Sequence, residues 1–551
     1  MEAFPFSKFA YQKFHVERNI YMQKYTGLLF IILLFVFGAF LLLTNNMFND
    51  DWAYSWIAKA FVENGELTFI GWEEPTMLGN ILWGALFCLP FGFSHTALHL
   101  STLVISILGA VSFYFILKHF KVGELLATIG TLLLIFNPIY FINSYTFMTD
   151  SSALGLCLLS LLLFLKYLKR NELYLLILSS VVAIFAFSIR QTAIILPLIF
   201  SLFLLYNTKN KRGIVLPISI TALIPFLFMF GIMIWRYSMP NIYVRNLIDI
   251  SPPLIAILFV KFLIYTGFFI SPFSFAYAFK KSKGEKPSKK IILYSILSSI
   301  VVLYALFSPG QLRMPLLGNY LTNFGMFGLN EILAGERSML FPAIVWDIVT
   351  VVSLSSLVIY FFLFSMKFFN LSKNRIYRNE QHIVYLFSLL SFTFPLIIGS
   401  GFDRYIIQWL PGVILSLAIW LQQSGYTKSI LTVSSASIFF FMFVIIFDTA
   451  GWNNARWEMA NNLVDSGVDP QHIDAGFEWC GWYSNKPVGF STTKQNRDHY
   501  TSTYLTKYFD GIDNKYMIAF SELYGYEVLV KRKYNSIFWN NESYLFLLER
   551  K

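Results

Sequence analysis

The sequence predicts a polytopic α-helical membrane protein, with about 13 transmembrane helices and a small α/β domain at its C-terminal end. Three observations predict it. Of 551 residues, 56% are hydrophobic and only 13% charged, with a mean hydropathy of +0.59; an ordinary soluble protein carries about 25% charged residues. The apolar residues gather in repeated runs of about 20, the length that crosses a bilayer. The composition then turns polar at Asp448 and stays so to Lys551.

The elements follow in order. Residues 1–24 are polar and aromatic, with Lys8, Lys13, Arg18 and Lys24, and read as a cytoplasmic tail. Gly27–Leu43 is the first apolar run, a signal-anchor that stays attached. The first outer loop, 45–95, opens with Asn49-Asp50-Asp51-Trp52-Ala53-Tyr54. Ser55–Val62 has apolar residues at helical spacing and breaks at Glu63-Asn64-Gly65, as a short helix on the membrane surface would. Leu78–Phe93 is apolar but interrupted by Asn80, Gly84 and Pro90. Further runs occupy 97–117, 125–142, 151–168, 173–188, 191–206, 214–235, 254–279, 291–308, 341–365, 383–399, 405–421 and 428–447.

Charge decides whether Leu78–Phe93 crosses. If it does not, the Lys/Arg-bearing loops 118–121, 166–170, 209–212, 280–290, 367–378 and 422–428 all share the side of the N-terminal tail. That is the positive-inside arrangement, and crossing would invert it. Leu78–Phe93 is therefore an interfacial or re-entrant helix. The transmembrane domain covers 25–447, and 448–551 forms an extracytoplasmic domain. Within that domain Ala455–Ser466 has helical periodicity, and His472–Ala475, Met517–Phe520, Glu527–Val530 and Tyr544–Leu548 read as strands.

The formal charge of +11 does not signal a nucleic-acid partner, because the basic residues sit in short loops between apolar runs. Cys88, Cys157 and Cys480 are scattered and offer neither a disulfide framework nor metal-ligand spacing. The chemistry sits in the outer loops. Adjacent carboxylates at the mouth of a span are costly unless they serve a function. Asp50, Asp51 and Tyr54 are joined there by Glu73 and Glu74, then Tyr145 and Asp150, then Arg190, then Arg313 and Arg337, and finally Asp403, Arg404 and Tyr405. Carboxylates with arginines at the water–lipid boundary suit a substrate with an anionic group and a hydroxyl to deprotonate. A lipid-linked phosphosugar is one: arginines neutralise the departing phosphate and a carboxylate serves as base. The plain readings stand beside this one. Asp150 could cap the helix that follows it, and Arg404 could be an interfacial anchor. His95 and His99 suit packing better than ligation, and the Trp479–Trp482 cluster suits a domain core better than a sugar platform.

At these residues the chain resembles the GT-C glycosyltransferases, in the branch of the protein O-mannosyltransferases and the lipid A aminoarabinose transferases. Asp50-Asp51-Trp52-Ala53-Tyr54 with Gly65 is similar to the first-loop motif of that branch. Pro75 and Phe91-Gly92 sit where it has a proline-rich turn and a Phe/Leu-Gly pair, Met148-Thr149-Asp150 resembles its second acidic motif, and Asp403-Arg404-Tyr405 with Pro411 its late Arg-Tyr motif. The resemblance spans about 25–421 and implies a thirteen-span GT-C-like fold. It implies transfer, usually with inversion, of a sugar from a polyprenyl-phosphate donor to a lipid, glycan or protein acceptor. Asp50 would be the general base, with Asp51, where the family usually has Glu, left open as an alternative. Asp150 would orient the acceptor or a catalytic group, and Arg404 and Arg190 would contact the donor. Metal use differs among members, so a divalent ion stays open as a cofactor. The composition suggests a bacterial plasma membrane, with the site facing outward. The rival reading is a transporter or flippase of lipid-linked saccharides, but such proteins place ionisable residues near the bilayer midplane and often show repeats. A third, a glycan-binding sensor, rests only on the aromatic residues of 448–551.

Overall fold

The computed structural model describes residues 25–73, 76–207, 213–239, 251–280, 313–371, 379–484, 509, 511–536 and 543–551. The tail 1–24, the apolar run 291–308, Glu74 and Pro75 lie outside the described residues. Every other apolar run expected to span forms helix. Among the described residues eight helices are long and apolar enough to cross a membrane: Tyr25–Leu42, His95–His119, Thr149–Arg170, Val215–Tyr237, Pro252–Ala278, Ala343–Ser365, Asp403–Ser424 and Lys428–Asp465. The remaining runs form shorter apolar helices, Glu124–Ile135, Leu173–Ile189, Gln191–Asn207 and Gln381–Ile397. The run 125–142 is divided because Asn137 caps a new helix at Pro138, its side chain accepting from the Ile139 amide at 3.0 Å. Leu78–Cys88 is a helix of 11 residues. At 1.5 Å per residue it is about 17 Å long, short of the ~30 Å hydrocarbon core.

Asp403–Ser424, Thr149–Arg170 and His95–His119 are the most enclosed of the eight long helices, while Tyr25–Leu42 and Val215–Tyr237 lie at the periphery. Two of the central helices cross at glycines. A Cβ added to Gly109 would stand 2.4 Å from the Gly155 Cα, so only hydrogen fits between the backbones.

The last span does not stop at the composition change. Lys428–Asp465 is one helix of 38 residues running through position 448, about 57 Å at 1.5 Å per residue. It carries the last span directly into the polar segment and absorbs the helix expected at Ala455–Ser466. Beyond a hairpin of β1 (Leu321–Thr322) and β2 (Gly325–Met326), the strands are β3 (Ile473–Asp474), β4 (Tyr516–Ala519), β5 (Tyr526–Lys533) and β6 (Tyr544–Arg550), ordered β3-β4-β6-β5. β3 and β4 are parallel and the other pairs antiparallel. All four strands coincide with those expected from sequence. The loop 313–340 meets this segment at two points: the Phe520 amide, just past β4, donates to Ala334, and the Phe477 amide, at the start of the helix Phe477–Tyr483, donates to Ile332.

Candidate active site

The loop that follows the first span opens on the acidic pair. Asn49 takes a left-handed conformation, φ 59°, which Asn tolerates better than most residues. The chain then enters the helix Asp51–Asn64, with Asp50 at the cap position and Asp51 in the first turn. The short helix expected over Ser55–Val62 lies within it, and Asp51, Trp52, Ala53, Tyr54, Ser55, Ile57 and Ala58 are all buried.

The two adjacent acids part company here. Asp50 is 20% exposed at its side chain. Its Oδ1 accepts from the Trp72 indole at 2.9 Å, and its Oδ2 lies 3.4 Å from the Arg404 guanidinium. Asp51 is fully buried. It accepts from the Phe48 amide at 2.7 Å and the Phe147 amide at 3.5 Å and is hydrogen-bonded to His99 Nε2 at 3.1 Å, while His99 Nδ1 meets the Thr44 carbonyl. Burial pushes the Asp51 carboxyl up from its ordinary range, and the bonds from His99, Phe48 and Phe147 pull against that shift. His99 is thus packed, as expected, but its packing partner is the second acid of the motif.

Asp150 sits in the first turn of Thr149–Arg170, buried, with Oδ1 2.8 Å from Arg190. Arg190 also donates to Thr149 at 3.1 Å and lies 5.5 Å from the centre of the Tyr405 ring. Gln408, one helical turn beyond Arg404, donates to the Asp150 carbonyl at 3.3 Å. The two acids that sequence placed on one face, a hundred residues apart, therefore lie in neighbouring ion pairs, Asp50 with Arg404 and Asp150 with Arg190. Asp150 Oδ2 and Arg404 Nε are buried with no hydrogen-bond partner among the described residues. A small cleft lined by Arg190, Thr192, Ser391, Tyr405 and Gln408 adjoins this cluster.

Sequence reasoning missed Tyr320. Its hydroxyl donates to Asn143 Oδ1 at 2.8 Å and accepts from Asn49 Nδ2 at 3.0 Å, tying three outer loops together. Asp403, expected among the charged residues of the site, is spent on holding that loop. It is fully buried and accepts from the Tyr320 and Leu321 amides at 3.1 and 2.6 Å. Glu73 forms a buried ion pair with Arg236 at 2.7 Å, which anchors the first loop to the end of Val215–Tyr237. Burial raises the Glu73 carboxyl, with backbone amides and Arg236 opposing. Neither Tyr320 nor Arg236 lies in a motif that spacing could have flagged.

Other candidates make their described contacts elsewhere. Tyr145 donates to the Phe35 carbonyl at 2.7 Å and packs against the first span. Tyr54 is buried in the core. Arg313 pairs with Asp347 at 2.7 Å. Arg337 pairs with Asp448 and lies over Phe520, fastening the outer loop to the last helix and the C-terminal sheet. Tyr405, by contrast, stays at the cluster, under Arg190 and beside Ser400. Trp479 is wholly buried, as a core residue would be, and Trp482 stacks on Phe93 at 5.9 Å. Among the described residues no three His, Cys, Asp or Glu side chains gather as a ligand set.

Residues 74–235 match the model of a family described as dolichyl-phosphate-mannose-protein mannosyltransferase. The match covers the second acidic motif and Arg190, and meets the resemblance to the protein O-mannosyltransferase branch of the GT-C superfamily. Similar solved structures include ArnT from Cupriavidus metallidurans bound to undecaprenyl phosphate, at 11% identity and TM-score 0.38, over 84% of this chain and 85% of that one. The apo oligosaccharyltransferase of Archaeoglobus fulgidus aligns at 11% identity and TM-score 0.42, over 78% and 56% respectively. Arabinosyltransferase EmbB from Mycobacterium smegmatis aligns at 12% identity and TM-score 0.33, over 76% and 40%. No curated protein matches the chain by sequence.

Proposed function

We propose that this protein is an integral-membrane glycosyltransferase that moves a sugar from a polyprenyl-phosphate donor to a hydroxyl acceptor at the extracytoplasmic face. The observation that carries the reading is the pair of neighbouring ion pairs, Asp50 with Arg404 and Asp150 with Arg190, with Asp50 the more open of the motif's two carboxylates. The donor class is supported by the family model matched over 74–235, whose description names a dolichyl-phosphate-linked sugar.

In this reading the acceptor hydroxyl gives its proton to Asp50 as its oxygen attacks the anomeric carbon. The bond from that carbon to the phosphate oxygen breaks, and the polyprenyl phosphate leaves with the electron pair. Attack opposite the leaving group inverts the anomeric configuration. Arg404 meets the growing phosphate charge, and Arg190, held by Asp150, stands behind it. Trp72 orients the Asp50 carboxylate through its indole N–H. Asp51 has its oxygens engaged by two amides and an imidazole, so its part is to shape the loop.

Asp50→Asn and Asp150→Asn, made singly in the full chain, should fold and insert but lose release of free polyprenyl phosphate from a labelled donor. Transfer yields that product and flipping does not. Full activity in both variants would end the assignment.

A further inference from the structure

The helix Phe477–Tyr483 of the C-terminal domain closes over the loop that carries Asp50. Gly481 lies flat on the Trp52 indole, and a Cβ there would come within 2.5 Å of the ring. Phe477 meets Trp72 at 5.7 Å between ring centres, and Trp72 donates to Asp50. Between these two contacts stands Glu478, fully buried. Its Oε1 accepts from the Asn49 amide at 2.6 Å, and its Oε2 lies 2.7 Å from Arg456. Arg456 is itself fixed, donating to Asn453 Oδ1 at 2.9 Å and to the Ala475 carbonyl at 3.1 Å. Asn49 is the left-handed residue immediately before Asp50, and its side chain is pinned to Tyr320 at 3.0 Å.

We propose that Glu478 is a positioning residue for Asp50: held by Arg456, it grips the Asn49 amide and so fixes the backbone turn that aims the Asp50 carboxylate. A buried ion pair is a poor way to dock a domain, since well-packed apolar residues of similar volume often do as well or better. What a carboxylate supplies and an apolar side chain cannot is a directed acceptor for one particular amide. That amide belongs to the residue whose φ and ψ set the entry into the Asp51–Asn64 helix. The Phe477 contact with Trp72 braces the second support of the same carboxylate. The C-terminal domain thus holds the site from two sides.

The inference rests on the reading of Asp50 as the base, and the test separates the two. Arg456→Met/Glu478→Gln removes both charges but keeps an acceptor oxygen. Arg456→Met/Glu478→Leu removes the acceptor too, and neither double variant leaves an orphan charge. Both are compared with wild type as full chains in lipid nanodiscs, using labelled dolichyl-phosphate mannose as the donor probe. Amide exchange at residues 47–52 is read on the same samples. The Gln variant should keep kcat within about threefold and keep Asn49 protected. The Leu variant should lose kcat by about 10- to 100-fold, the scale of a small misplacement of a catalytic group, with donor KM unchanged and Asn49 protection at least tenfold lower. Equal losses in both variants, wild-type kcat in the Leu variant, or a change confined to KM would overturn the proposal. Where wild type releases no dolichyl phosphate from this donor, the exchange arm decides alone, and equal Asn49 protection in the two variants overturns it. Turnover in Asp50→Asn would instead sink the reading of the base and leave the Glu478–Asn49 result standing.

Discussion

Asp50 and Asp51 differ by one position in the chain, yet one carboxylate is 20% exposed beside a guanidinium and the other is sealed under two amides and an imidazole. The helix starting at Asp51 separates them, because consecutive residues at a helix entry point in different directions. One looks into the cluster with Arg404 and the other into the core beneath it. A doubled acidic motif can thus divide its labour, the first acid standing open beside Arg404 and the second tied into its own loop. The outer ion pairs show the same division. Arg404 with Asp50 is partly open, while Arg190 with Asp150 is closed, at 4% and 1% exposure.

Breaking each member should show the difference. The largest effect is expected for Asp50→Asn, where kcat falls by about 10²- to 10⁴-fold, the usual worth of a general base, with thermal unfolding in detergent unchanged. Arg404→Gln should cost about 10²- to 10³-fold in kcat/KM for the donor, as loss of one electrostatic donor to a developing charge does; steady-state kinetics with varied donor would read it. His99→Gln should act through stability instead. Disturbing the bonds that satisfy the buried Asp51 is worth about 1–3 kcal/mol, visible as a lower unfolding temperature with kcat nearly intact.

The smallest effect concerns pH. The folded Asp51 carboxyl is raised above 3.8, so the folded state holds that proton more tightly than the unfolded chain. The stability this supplies is fully present below 3.8 and is lost as pH rises through the folded value. Asp51→Asn lacks this ionisation. Its unfolding temperature should therefore gain on wild type as pH rises above 3.8, and a constant difference would contradict the setting assigned to Asp51.

Much of this was legible in the chain. Apolar runs marked the spans because the bilayer imposes a length, and short apolar runs in a polar segment marked the four C-terminal strands. The acids and arginines stood out because charge at a span end is rare. What could not be read was which acid opens to the site. That depends on partners set only by folding: Arg404 lies 354 positions from Asp50, Tyr320 271 from Asn49, and Glu478 429 from Asn49. Tyr320 lies in an irregular loop where no periodicity marks it, and Glu478 reads as one more polar residue of a soluble segment. The 38-residue helix through Asp448 was hidden for another reason. Its polarity changes where it leaves the apolar region while its backbone does not change at all.

The division between the two acids is tested most directly by carboxyl labelling of the folded, lipid-embedded protein with a carbodiimide and an amine. Fragment-resolved mass spectrometry would assign the label, and donor turnover would be followed in the same tube. The account predicts that turnover disappears in step with labelling of Asp50, while Asp51 stays unlabelled until the protein unfolds. Label on Asp51 ahead of Asp50, or full labelling of Asp50 with turnover intact, would contradict it.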